Sequence, residues 1–246
     1  MNSNETKIYG QHACQALFAA RPNDIVRVLF TEKGAVGFGE LMKHCASEHK
    51  PYRIVPNEEL EKVSGARHHE GVCIVAWPRA TRKLDHILAD QGPGLILALD
   101  KVSNPHNIGT LLRTSAHFGV RAVLLGGALR RLSAAAYRTA EGAAETVDVF
   151  FGEDLKETLS DCKAAGFSIC ATSSHKGDSL YETALPKRCV VVLGAERDGL
   201  SKPLFAMADT LLSIPGSSQV ESLNVASSAA VFLGEYWRQY GSAFSS

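Results

Sequence analysis

Arg113 is the side chain in this sequence best suited to hold an anion. It closes a polar segment that begins Asp100-Lys101-Val102-Ser103-Asn104-Pro105-His106-Asn107-Ile108-Gly109. Its guanidinium is a planar fork of donors that matches phosphate oxygens. At about 100° per residue, His106, Thr110, Arg113 and His117 share one helix face, opposite Ile108, Leu111, Leu112 and Ser115. That polar face reads either as a solvated surface or as the wall of a site. Periodicity alone does not choose.

Two later segments have the same form, an apolar strand running into polar residues. The first is Leu193-Gly194-Ala195-Glu196-Arg197-Asp198-Gly199-Leu200. Its glycines allow close approach of backbone to a ligand, although it has neither GxGxxG nor Walker spacing. A plain turn is the other reading. The second runs from Ile214-Pro215-Gly216 through Ser222-Leu223-Asn224 to Ala226. Ser218-Gln219-Val220-Glu221 fits a capping box. Ser222 and Asn224 then fall in the first turn of a helix expected over Ser222–Tyr240. Val225, Ala226, Ala229, Ala230 and Val231 suit tight packing on another helix, within the fold or across a dimer.

These segments need elements to position them. Leu95–Leu99 is apolar throughout, as is a strand covered on both faces. Further strands are expected at Ala122–Leu125, Val147–Phe151, Phe167–Ala171, Cys189–Leu193 and Thr210–Ile214. Helical patterns lie between them at Ile108–Phe118, Ser133–Ala144 and Leu155–Ala165. Asn104 with Pro105 suits a helix start, and Gly119 a left-handed stop. Alternation of strand and helix implies a mostly parallel α/β sheet. Ligands bind such sheets beyond the carboxyl ends of the strands. All three polar segments come directly after strands, so they are expected to converge on one sheet edge.

The first 78 residues read as a smaller α/β unit. Helices are expected at Gln11–Ala20, Leu41–Glu48 and Glu58–Val63, with strands at Val26–Phe30, Tyr52–Val55 and Val72–Trp77. The chain thus divides in three: a small domain over 6–78, a linker over 79–93 with a short helical piece at Leu84–Leu88, and a large domain over 94–246.

Bulk properties bound the partners. The chain has 246 residues, 26 basic and 26 acidic, with no formal net charge. Nucleic acid is therefore not advertised globally, and local patches decide. The polar N-terminus lacks the apolar core of a signal peptide. No apolar run approaches the roughly 18 residues that span a bilayer. Six cysteines are scattered without a CxxC pair, and the His68-His69 turn pair has no ligand-spaced partners. No metal site and no disulfide framework are expected. A cytoplasmic location, with thiols reduced and buried and no membrane partner, fits this composition. Arg130, Arg131 and Arg138 form a basic cluster, read as a solvated face or as phosphate contacts.

The three polar segments together resemble the SpoU/TrmH family of RNA ribose 2′-O-methyltransferases. The family pattern runs roughly D-x-V-x-D-P-x-N-x-G-x-x-x-R, then G-x-E-x-x-G, then I-P-M-x-G-x-x-x-S-L-N-V. Ile8-Tyr9-Gly10-Gln11-His12-Ala13 and His69-Glu70-Gly71 resemble the ribosomal-protein-like substrate-binding domain of the rRNA-modifying branch. The resemblance implies S-adenosylmethionine as cofactor, a C-terminal trefoil knot, a homodimer, and an RNA substrate, rRNA favoured over tRNA, with no DNA partner. It implies cofactor contacts at Thr172, Gly194, Ile214 and Leu223. It implies catalytic or site-shaping roles for Asn107, Arg113, Glu196, Ser222 and Asn224. Asn104 stands where the family usually has Asp, and Ser217 lies in the part of the third pattern that varies. A tRNA methyltransferase and a non-catalytic RNA-binding or assembly factor keeping the fold are the alternatives. A doubly wound oxidoreductase lacks its GxGxxG here.

Overall fold

The structure is a computed structural model that describes residues 5–241 apart from Thr81, His175, residues 196–198 and Ser218. The chain forms two compact units, one of residues up to Ala80 with Leu132–Thr146, the other of residues from 81 to Arg131 with Val147 onward.

The first unit contains β1 (Thr6–Tyr9), α1 (Gln11–Ala20), β2 (Ile25–Phe30), α2 (Gly39–Ser47), β3 (Tyr52–Ile54), α3 (Asn57–Ser64) and β4 (Val72–Ala76). The strands order as β1-β4-β2-β3, antiparallel except for the β2–β3 pair. Every residue of β4 is buried, as its apolar run requires.

In the second unit, α4 (Leu84–Ala89) precedes β5 (Gly94–Asp100), α5 (Pro105–His117) and β6 (Ala122–Gly126). The chain then contributes α6 (Ala134–Ala140) and a short 3₁₀ turn, Ala143–Glu145, to the first unit. It returns to the second with β7 (Asp148–Gly152), α7 (Leu155–Ala164), β8 (Ser168–Thr172), β9 (Asp178–Ser179), β10 (Arg188–Gly194), α8 (Lys202–Phe205), β11 (Thr210–Ser213) and α9 (Val225–Tyr240). The strand order is β7-β6-β5-β10-β8-β11-β9, and each neighbouring pair is parallel. The expected mostly parallel α/β sheet is thus observed.

Ile96, Ala98, Leu124, Val190 and Val192 pack with Leu155, Leu159 and Cys162 of α7. Leu95, Leu97 and Leu99 are also buried, and strand alternation turns them to the opposite sheet face. Burial of β5 on both faces is why its sequence shows no polar alternation. Ile87 and Leu88 of α4 join the same core. The helical piece within the segment expected as a linker thus packs in the second unit.

The helix expected over Ser133–Ala144 is divided. Ser133 caps it, its Oγ accepting from the Ala136 N–H at 3.2 Å. Glu141 at φ 48° and Gly142 at φ 96° then turn left-handed and end it. Arg21 fastens the 3₁₀ turn beyond that point, its Nε donating to Glu145 Oε2 at 2.8 Å and its Nη2 to Oε1 at 3.1 Å. A two-pronged ion pair with a buried carboxylate is geometrically specific, and loss of one partner leaves a buried charge.

Candidate active site

The parallel sheet of the second unit places the C-terminal ends of β5, β10, β8 and β11 along one edge. Asp100, the last residue of β5, is in register with Gly194, the last of β10. Thr172, the last of β8, is in register with Leu212 of β11. The three polar segments leave this edge, as their positions after strands predicted.

α5 starts as expected. Asn104 is its N-cap, its side chain accepting from the His106 N–H at 2.9 Å, and Pro105 is the first helical residue. Gly119 lies just past the helix at φ 65°. Ile108, Leu111, Leu112 and Ser115 are buried, while His106, Thr110, Arg113 and His117 are exposed. Arg113 thus lies on the outward face of α5, and Asn107 in its first turn.

α9 differs from expectation at its start. It begins at Val225, not Ser222, and Asn224 is its N-cap, with Oδ1 accepting from the Ala226 N–H at 2.9 Å. The capping-box reading is thereby corrected for Glu221, which precedes the helix, while Ser218 lies outside the described residues. Asn is among the strongest N-caps, and Asn224 directly precedes the apolar periodic run. The same Asn224 reaches α5: its Nδ2 donates to Asn107 Oδ1 at 3.3 Å. Two amides from segments 117 residues apart therefore meet where both helices begin.

The glycine loop is shaped by close backbone approach. A Cβ on Gly194 would lie 2.1 Å from the Gly199 carbonyl carbon, so any side chain there forces the loop apart. Ala195 and Gly199 form an isolated bridge, with the Gly199 N–H donating to the Ala195 carbonyl at 2.9 Å. Glu196, Arg197 and Asp198 lie outside the described residues. Asp100 anchors the far side of this loop. Its buried carboxylate accepts from the Ser201 N–H at 2.9 Å. Sequence reasoning placed Asp100 at the head of the first segment without giving it this role. The only signal was a carboxylate ending an otherwise apolar strand.

The other expected contacts are set out along this edge. Thr172 donates its hydroxyl to the Val192 carbonyl at 3.1 Å, which fixes its rotamer between β8 and β10. Ile214 is half-buried just after β11. Ser222 and Leu223 are exposed on the approach to α9. The structure joins Asn107 to Asn224 directly and brings Asp100 beside Gly194, whereas it shows no bond from Ser222 to either asparagine.

Residues 94–234 match the family described as SpoU rRNA Methylase. The chain belongs to this family. Residues 7–81 match the region described as RNA 2′-O ribose methyltransferase substrate binding. The expected family, fold and reaction class are thereby borne out: the chain is of the S-adenosylmethionine-dependent RNA ribose 2′-O-methyltransferase type.

Related SpoU chains agree. The uncharacterized tRNA/rRNA methyltransferase YfiF of Escherichia coli O157:H7 is 40% identical over 238 residues, covering 96% of this chain and 69% of that protein. The 23S rRNA (guanosine-2′-O-)-methyltransferase RlmB of Nitrosomonas europaea is 33% identical, over 95% of this chain and 91% of its own length. Among solved structures, an RNA 2′-O ribose methyltransferase superposes with a TM-score of 0.81 at 25% identity, covering 96% of this chain and 89% of its own. The SpoU methyltransferase AviRb of Streptomyces viridochromogenes, in complex with AdoMet, shares the fold with a TM-score of 0.80 at 20% identity, over 98% and 92% of the two chains.

Proposed function

We propose that this chain methylates a ribose 2′-hydroxyl of ribosomal RNA at the C-terminal edge of the second unit's sheet. The observation that carries the site is the Asn107–Asn224 bond, which ties the first polar segment to the third beside Gly194's strand. The relatives named as 23S rRNA methyltransferases support rRNA over tRNA.

The residues present fit the cofactor. Gly194 keeps backbone within reach of a bound ligand, and Ile214 and Leu223 offer apolar walls for an adenine. Leu223 is 46% exposed, an apolar side chain in want of cover. When bound, S-adenosylmethionine supplies a methyl already activated by its positive sulfur, so the protein's main task is alignment. Arg113 holds the phosphate beside the target ribose, and its charge favours loss of the hydroxyl proton to solvent water. A guanidinium stays protonated at any working pH, so it acts through charge and position rather than as a base. Asn107 and Asn224 hold the two helix starts in register, Ser222 faces the substrate, and the family pattern gives Glu196 a part in catalysis.

The family reading carries further parts of the proposal: a C-terminal trefoil knot and a homodimer. Val220, 70% exposed on the segment before α9, is apolar surface that a partner subunit would cover. An rRNA substrate supports a cytoplasmic location. The six cysteines, all free and buried, suit that reducing compartment. Mapping ribose methylation across total RNA with and without the gene tests the substrate. The expected result is one lost 2′-O-methyl site in rRNA, and a lost site confined to tRNA would overturn the rRNA assignment.

A further inference from the structure

Asp100 ends β5 with a carboxylate that the fold buries and leaves without an ion pair. Four acidic side chains are buried among the described residues: Asp100, Glu145, Asp148 and Glu235. Three of them are met by arginine, Glu145 by Arg21 at 2.8 Å, Asp148 by Arg82 at 2.7 Å and Glu235 by Arg238 at 2.6 Å. Asp100, 6% exposed, has no cationic partner among the described residues, and its bond is the one from the Ser201 N–H. A buried charge is costly unless it is paired, and one amide donor offsets only part of that cost.

The position of Asp100 indicates where a counter-charge would come from. It is in register with Gly194 on one side and with Gly126 on the other, so neither neighbouring strand end covers it with a side chain. In-register residues of parallel strands point to the same face. A Cβ on Gly194 would run into the Gly199 carbonyl and the Leu200 nitrogen. The Gly199–Ser201 backbone therefore returns over the face that holds the Asp100 carboxylate. The unpaired charge lies beneath the glycine loop, at the strand ends where the cofactor is proposed to bind.

We infer that Asp100 selects the charged cofactor over its spent product: its carboxylate is the fixed counter-charge for the sulfonium of S-adenosylmethionine and gives no such help to S-adenosylhomocysteine. The inference rests on the cofactor reading above. The two ligands differ by one methyl group and one positive charge. Transfer breaks the bond from methyl carbon to sulfur, and the electron pair stays on sulfur as a neutral thioether. A carboxylate held away from water acts on a cation over several Å with little screening by salt. The product thus loses an attraction that the donor has, and gives way to fresh donor. The Ser201 N–H has a separate part, since it holds the loop without choosing the ligand.

The test measures binding of both ligands to the full chain by isothermal titration calorimetry. Asp100→Asn keeps the shape and an oxygen for the Ser201 N–H but loses the charge. S-adenosylmethionine affinity is expected to fall about tenfold, the scale of one partly screened charge pair, while S-adenosylhomocysteine affinity stays within about twofold. Sinefungin, whose protonated amine replaces the sulfonium, is expected to weaken as S-adenosylmethionine does. Ser201→Pro does the reverse: it removes the N–H, at a φ of −62° that proline adopts, and leaves the charge. Both ligands are expected to bind it more weakly, with their affinity ratio as in the wild type. Equal losses for the two ligands in Asp100→Asn, or no loss, overturn the charge role. A changed ratio in Ser201→Pro overturns it too, even where Asp100→Asn does not fold. Failure of the cofactor reading looks different: the wild-type chain would bind neither ligand.

Discussion

Asn224 does two jobs with one amide: Oδ1 caps α9 through the Ala226 N–H, and Nδ2 donates to Asn107 on α5. Substitutions separate them. Asn224→Ser keeps a capping oxygen but loses the reach to Asn107, so melting is expected to stay near wild type while methyl transfer falls at least tenfold. Asn224→Ala loses both, with about 1 kcal/mol of stability gone in addition. Equal activity of the serine variant and wild type would reduce Asn224 to a cap.

Gly194→Ala places a Cβ 2.1 Å from the Gly199 carbonyl carbon. The loop must open at the proposed cofactor wall. Titration with S-adenosylmethionine is expected to show at least tenfold weaker binding, while the buried strand ahead of it keeps the fold cooperative. Unchanged affinity would remove this loop from the cofactor site.

Arg113→Lys keeps the charge and loses the planar fork. Single-turnover transfer is expected to drop by about 10²-fold, in the range typical of a positioned catalytic group, with cofactor affinity unchanged. Near wild-type rates would take Arg113 out of the reaction.

The thiols are expected to be silent. Burial pushes Cys73 and Cys162 up to about 12, and it raises Cys14 well above the ordinary thiol range. A raised pKa keeps a thiol neutral at and above physiological pH, and only the thiolate is nucleophilic. Native protein at pH 8 is expected to resist a thiol-specific reagent for hours and to yield six reactive groups once unfolded. Rapid labelling of Cys73 or Cys162 in the folded protein would contradict their burial.

Much of the frame around these residues was legible in the sequence. Apolar Leu95–Leu99 announced a strand buried on both faces, and the eight residues assigned to the two faces of α5 divide as periodicity predicted. Asn104 and Gly119 marked the helix ends because caps carry local chemistry. What stayed hidden is non-local. Nothing near Asp100 shows that Ser201 will donate to it across 101 residues. Glu141 turns left-handed without being a residue type that favours it, and Gly142 beside it, at φ 96°, is the stop signal that the Ser133–Ala144 pattern ran past. The pattern also could not show that α6 packs in the first unit. At α9, Ser218 and Glu221 read as the capping box and Asn224 as a first-turn residue, whereas the backbone starts the helix at Val225 and makes Asn224 its cap.

Ribose methylation by this chain is tested most directly by incubating the purified protein with S-adenosylmethionine labelled in its methyl group and rRNA from cells lacking the gene, then digesting the RNA to nucleosides. The expected result is label in a single 2′-O-methylnucleoside, reduced at least tenfold by Gly194→Ala at a cofactor concentration well below saturation. Label on a base, or no label from protein that binds the cofactor, would contradict it.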